Sequence, residues 1–250
     1  MRRKVKVSKN VIPGVFTLFN MFFGFLAIVT ASQGFLQKAS WLIFFAGIFD
    51  IIDGKVARIF KIPSKFGVEF DSVADLVSFC AAPSVLIYFA YVKELHPVLA
   101  AAISFIPLIF GAIRLARFNV QTLEKPLPYF VGLTTPINAL IIASFILFNE
   151  KIIGSSGDPR IALPLIFLTS FLLLSHVRYS KVPNFERGKW GKIKLIFVLA
   201  VMVSIYIWQG LILFPIVMLY VLWGLIGWLI HHGELDIELE VESNWRFKRH

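Results

Sequence analysis

Charge is what this 250-residue sequence has least of: Asp, Glu, Lys and Arg together make up 16%, against roughly 25% in ordinary soluble domains. With 58% hydrophobic residues and a mean hydropathy of +0.78, a soluble globular domain is excluded. The chain reads as a polytopic membrane protein. Cysteine is nearly absent as well. The single Cys80 excludes an intrachain disulfide and a multi-cysteine metal site, and inside an apolar run it reads as a small buried packing residue. Long polar stretches are missing except for the opening decapeptide, RYSKVPNFERGKWGK at 178–192 and HHGELDIELEVESNWRFKRH at 231–250. No soluble domain accompanies the membrane part. The alternation in ELDIELEVE allows a short strand, but a solvated tail is the better reading. No internal repeat is visible, which leaves an inverted-repeat transporter without support. No signal-like leader precedes the first apolar run, so the N-terminus is expected to be retained.

What is present is a series of apolar runs, each near the 20 residues that a bilayer requires. Eight spans are expected, at 12–31, 39–60, 66–90, 97–117, 128–148, 161–178, 193–209 and 211–231. Together they form an all-α helical bundle with both termini on one side. That topology puts all but Lys38, Lys93, Lys151 and Arg160 of the 25 Lys and Arg residues on the side of the termini, which predicts that both termini are cytoplasmic. The net charge of +10 is spread over span ends and short loops. Anionic lipid headgroups are therefore the expected partner, and nucleic acid is not. In this reading residues 1–186 form a six-helix membrane domain, 187–232 add two transmembrane helices and 233–250 form a cytoplasmic tail.

Against that background, GIFDIIDGKVARIFKIPSKFGVEFDSVADLVSF at 47–79 is anomalous, because it places Asp50, Asp53, Asp71 and Asp75 within helices that border hydrocarbon. An aspartate facing lipid near the bilayer centre costs about 2.5–3.5 kcal/mol, and four would approach roughly 12 kcal/mol. Helical spacing removes the difficulty. Asp50 and Asp53 are i, i+3 on one helix, and Asp71 and Asp75 are i, i+4 on the next, so each pair shares a face. The short KIPSK connection makes the two helices antiparallel neighbours whose acidic faces can meet. Four converging carboxylates need cations, and oxygen ligands favour Mg²⁺ or Mn²⁺ over zinc, with two ions expected. Gly54 and Ala57 lie on the carboxylate face, where missing side chains serve either close helix packing or the approach of a bulky group.

The spacing Asp50-Ile-Ile-Asp53-Gly54-Lys-Val-Ala57-Arg58, then Gly67, Asp71 and Asp75, resembles the complete signature of the CDP-alcohol phosphotransferase family. The resemblance implies a helical membrane enzyme that joins an alcohol to the phosphatidyl group of a CDP-activated lipid and releases CMP. It implies metal binding by Asp50, Asp53 and Asp71, with Asp75 in the same acidic set serving as the catalytic base. Arg58 is expected near the pyrophosphate, and Gly54, Ala57 and Gly67 around the cytidine. The resemblance implies a homodimer as well, and the charge-based topology predicts a site at the cytoplasmic face of the cell membrane.

The acceptor has to be read elsewhere. VIPGVFTLFNMFFGFLAI, RLARFN at 114–119 and LLLSHVRYSKVPNF resemble the phosphatidylserine synthase branch, which implies CDP-diacylglycerol and L-serine as substrates; Thr134 in GLTTPINA stands where that branch leads one to expect proline. Arg114 and Arg117, i, i+3 at a span end, are candidate acceptor-binding residues, able to present paired donors to a carboxylate or phosphate. Thr17 and Asn20 form a buried polar pair on the first span, read as CDP-lipid contacts or as helix-helix hydrogen bonding. Glycerol 3-phosphate or inositol phosphate are the alternative acceptors. A divalent-cation transporter is the alternative class, but the outer halves of the acidic spans, WLIFFAG and PSVLIYFAY, are apolar. None of His96, His176, His231, His232 and His250 accompanies the aspartates, so no phosphohistidine is expected, and the family resemblance implies direct attack by the acceptor.

Overall fold

The computed structural model describes residues 11–60, 65–122, 129–180 and 210–247. Helix α1, Val11–Ser32, turns at Gly34 (φ 84°) into α2, Leu36–Phe60, and the two pack along their length. The next span is composite. Helix α3, Lys65–Asp75, passes into a π-helical stretch, Leu76–Ala81, then α4, Ala82–Ile87, then a second π-helical stretch, Tyr88–Val92. Pro83 supplies the reason for the first widening: it has no N–H to offer the Phe79 carbonyl, and the neighbouring Ala82 N–H donates to Val77, five residues back. Helices α5, Pro97–Ser104, and α6, Ile106–Thr122, return to the aspartate side.

Here the structure corrects two expected boundaries. The run expected to span 128–148 begins instead with a strand, β1, Tyr129–Val131, followed by α7, Thr135–Ile153. The run expected at 161–178 is α8, Pro159–Leu172, followed by β2, Arg178–Ser180, which pairs antiparallel with β1. Gly132 divides β1 from α7. Its φ of 74° is left-handed, its N–H donates to the Val177 carbonyl at 2.8 Å, and a Cβ there would lie 2.5 Å from the Leu173 carbonyl oxygen. Helix α9, Leu213–Phe247, starts after a left-handed turn at Gly210 and runs unbroken beyond the expected end of its span. The 233–247 part of the expected tail is therefore helical, and the strand reading of ELDIELEVE is excluded.

Among the described residues five helical segments, Gly14–Ser32, Phe66–Val92, Pro97–Val120, Thr135–Ile153 and Leu213–Ile230, are long and apolar enough to cross a membrane. The expected count was eight. Helix α2 has the length, 25 residues, but its second half carries the charged signature; α8, at 14 residues, rises about 21 Å, short of a hydrocarbon core of about 30 Å. The expected span at 193–209 lies outside the described residues. Trp223, Phe66 and Val98 are more than 70% exposed, as suits side chains whose solvent is lipid. The interior holds two clusters, one around Ile43, Phe79 and Ile146, the other around Leu133, Tyr179 and Val217. A Cβ on Gly210 would meet Leu147 of α7, and one on Gly224 the ring of Tyr179 in β2. Helix α9 thus runs from the far end of α7 back towards the ribbon.

Candidate active site and metal centre

The i, i+3 and i, i+4 spacings do bring the acidic faces of α2 and α3 together. Asp50, Asp53 and Asp71 each present a carboxylate oxygen, and these oxygens all lie within 4.8 Å of one another. Asp53 is buried and the other two are half-buried. Two unit negative charges at that separation repel by about 3 kcal/mol at an effective dielectric of 20, so the cluster is costly without positive charge between its members. Asp53 Oδ2 and Asp71 Oδ1 are buried with no hydrogen-bond partner. Orphaned acceptors in a converging all-oxygen set fit a hard divalent cation. The cluster has the geometry to hold one.

Asp75, the last residue of α3, lies beside this group with Asp50 as a neighbour, but the oxygens that converge within 4.8 Å are those of the other three aspartates. Helix α1 supplies its support. The Asn20 amide, fully buried, donates to Asp75 Oδ1 at 3.2 Å, while Asn20 Oδ1 is buried without a partner. The Ser78 hydroxyl donates to the Asn20 main-chain carbonyl at 2.9 Å, and Thr17, one turn earlier on α1, bonds Asp53. Close approach of α1 to the π-helical stretch depends on Gly24, where a Cβ would collide with the backbone and side chain of Ser78. On the other side of the stretch, a Cβ on Gly111 of α6 would collide with Cys80. Cys80 is indeed a small buried packing residue.

Helix α6 brings Arg114 to the site. It is buried, has Asp75 and Cys80 as its charged and titratable neighbours, and holds its guanidinium carbon 5.8 Å from the centre of the Phe118 ring; its Nε has no partner. Arg117, one turn on, is half-buried and makes no hydrogen bond or ion pair among the described residues. The two arginines thus have different environments, although their spacing treats them alike. Asn119, in the same RLARFN run, exchanges hydrogen bonds with Ser72 of α3 at 3.0–3.1 Å and donates to Glu69 at 3.5 Å, which ties the end of α6 to the acidic helix.

Gly54 is exposed, and a Cβ there would meet open space, with no close helix contact among the described residues. Gly67 is exposed on the first turn of α3. Ala57 and Arg58 lie on the last turns of α2, and their side chains fall outside the described residues. Sequence reasoning missed the contacts of Ser78 and Asn119, because only packing reveals their partners.

Comparison with known proteins agrees with this geometry. Residues 10–173 match the family model described as CDP-alcohol phosphatidyltransferase. A CDP-diacylglycerol–serine O-phosphatidyltransferase of Helicobacter pylori is 36% identical over 219 residues, 87% of this chain and 90% of the relative. The protein of that name from Bacillus subtilis is 32% identical, covering 73% of this chain and 99% of its own length. Among solved structures, a phosphatidylinositol phosphate synthase of Mycobacterium tuberculosis, crystallised with CDP-DAG, superposes with a TM-score of 0.51 at 16% identity, over 68% of this chain and 83% of that one. It shares the fold. An acidic cluster with orphaned oxygens at the family's own spacing, in a helical membrane protein whose first two-thirds match the family model, makes this chain a member of the CDP-alcohol phosphatidyltransferase family.

Proposed function

We propose that the protein transfers the phosphatidyl group of CDP-diacylglycerol to the hydroxyl of L-serine, giving phosphatidylserine and CMP, at the cytoplasmic face of the cell membrane. The convergence of Asp50, Asp53 and Asp71, with two buried oxygens unpartnered and Asp75 held beside them by Asn20, is the observation that carries the reading. The names of the relatives favour serine. Asp50, Asp53, Asp71 and Asp75 form the acidic set that would hold two divalent cations, Mg²⁺ or Mn²⁺. When bound, these would neutralise the pyrophosphate and the departing CMP.

The chain's own residues do the rest. Asp75 accepts the proton of the serine hydroxyl as its oxygen bonds phosphorus and the bond from phosphorus to the CMP oxygen breaks, a contribution of about 10²- to 10⁴-fold. Asn20 holds one oxygen of that carboxylate by a charge-assisted hydrogen bond, fixing its direction. Thr17, the unpartnered Oδ1 of Asn20, Gly54, Ala57, Arg58 and Gly67 form the CDP-lipid side, and the open space at Gly54 admits the nucleotide. Arg114 and Arg117 serve the acceptor, Arg114 from a buried position next to Asp75. Residues 1–186 are proposed as the catalytic unit, in a homodimer, with 187–232 as added helices.

The test is CMP release by the purified full chain from CDP-diacylglycerol with serine, glycerol 3-phosphate or inositol phosphate, each with and without EDTA and with Mg²⁺ or Mn²⁺ restored. Serine-dependent, EDTA-sensitive release is expected. Release with another acceptor alone refutes serine, and release unaffected by EDTA refutes the metal roles.

A further inference from the structure

Helix α7 begins at the aspartate side of the bundle with an uncapped N-terminus. Its N-cap, Thr134, makes no side-chain cap hydrogen bond, the second residue is Pro136, and Thr135 is only 1% exposed with an Oγ1 that has no partner. A helix start that is buried without side-chain partners for its N–H groups is unusual, and the partial positive charge there favours an anion. Thr135 faces α6: its Cγ2 is 3.5 Å from the position of a Cβ on Gly111, the same position that Cys80 Sγ crowds. Cys80 in turn neighbours the Arg114 guanidinium, which is buried, has an unpartnered Nε and makes no ion pair among the described residues. Arg114 lies one turn beyond Gly111 on α6, so the buried guanidinium, whose charged neighbour is Asp75, the orphaned hydroxyl and the uncapped helix start meet on one face of α6. Each lacks the same thing, an oxyanion.

We propose that the N-terminus of α7, with Thr135 and Arg114, is the subsite that takes the oxyanion group of the acceptor, which for serine is its carboxylate. The inference rests on the acceptor reading above and adds Thr135 and the α7 backbone to it. Its geometry suits a small amino acid. The hydroxyl and carboxylate of serine are separated by two carbons, so the anion must sit next to the base, and Arg114 has Asp75 as its charged neighbour. An uncharged hydroxyl and main-chain N–H groups bind the anion without bringing a second full charge towards the carboxylates.

Thr135→Val keeps the branched shape at the helix start and removes the donor, and Thr135→Ser restores it. Initial rates with the full chain in detergent are expected to show the KM for L-serine rising about 10-fold in Thr135→Val, as for the loss of a hydrogen bond to a charged group, with kcat and the KM for CDP-diacylglycerol unchanged. Thr135→Ser should return the serine KM to within about threefold of wild type. An unchanged serine KM, an equal rise in the KM for CDP-diacylglycerol, or no recovery in Thr135→Ser would overturn the subsite. Wild-type turnover with glycerol 3-phosphate and not with serine rejects the serine reading alone, and the KM of Thr135→Val for that phosphate acceptor then decides the subsite. If no acceptor supports turnover the enzyme reading fails, and thermal stabilisation by L-serine relative to ethanolamine, which lacks the carboxylate, still reads the site. Wild type should be stabilised more by serine than by ethanolamine, and Thr135→Val should show a smaller difference between the two; the same preference in both proteins would overturn it.

Discussion

Gly24→Ala is the perturbation that best separates this site from a generic acidic cluster, because Gly24 is near no aspartate in sequence. A Cβ added there would stand 2.5 Å from Ser78 Cα and 2.8 Å from Ser78 Cβ, and it would also strike the Ser78 hydroxyl. Ordinary carbon contacts are about 3.5–4.0 Å, and the nearest carbon belongs to the backbone, so a change of rotamer cannot relieve the clash. Helix α1 and the π-helical stretch must separate by about 1 Å. Asn20 is one turn before Gly24, and Asp75 is three residues before Ser78, so the 3.2 Å bond between Asn20 and Asp75 would open to about 4 Å, beyond hydrogen-bonding range. Overpacking costs about 1–3 kcal/mol, partly offset by the 0.5–1 kcal/mol or so that alanine gains over glycine within a helix. A net loss of about 1–2 kcal/mol leaves the protein folded. The catalytic loss should be larger, because misplacing a reacting group by 1 Å costs about 10²-fold. Serine-dependent CMP release is the assay, with elution profile and thermal stability as checks on folding. Gly47→Ala on α2 is the control: its Cβ would meet Phe79 at 3.9 Å, an ordinary contact, so its activity should stay near that of wild type. If Gly24→Ala also keeps more than about half of wild-type turnover, the positioning of Asp75 through α1 is refuted.

Three further outcomes are expected. Asp75→Asn should fold and bind CDP-diacylglycerol yet release no CMP above background; normal turnover would remove Asp75 as the base. Asp53→Asn should weaken Mn²⁺ binding in the absence of substrate, read by the paramagnetic resonance of free Mn²⁺, since it withdraws a charge from a set whose Oδ2 is already orphaned; unchanged affinity would exclude Asp53 as a ligand. Arg114→Lys should raise the KM for serine about 10-fold and leave that for CDP-diacylglycerol unchanged, because the ammonium keeps the charge but loses the fork that grips a carboxylate. Equal effects on the two substrates would count against acceptor recognition.

Much of this protein can be read without coordinates, for a physical reason. Composition alone decides the solvent: at 16% charged residues the chain cannot cover a water-soluble surface, and burying its apolar runs requires lipid. The spacing of Asp50, Asp53, Asp71 and Asp75 decides which residues share a helical face, since rise and turn per residue are local properties of the backbone. Neither fact depends on what packs against what. The β1–β2 ribbon and the boundaries of α7 and α8 were not legible, because a three-residue strand is specified by its partner about 50 residues away and not by its own composition. The same is true of the site's support. That Asn20 serves Asp75, that Arg114 is buried beside it while Arg117 is not, and that Gly24 and Gly111 clamp Ser78 and Cys80, all follow from how the helices are rotated and how closely they approach. Local periodicity sets the face of each helix, but only the summed packing of all of them decides which faces meet.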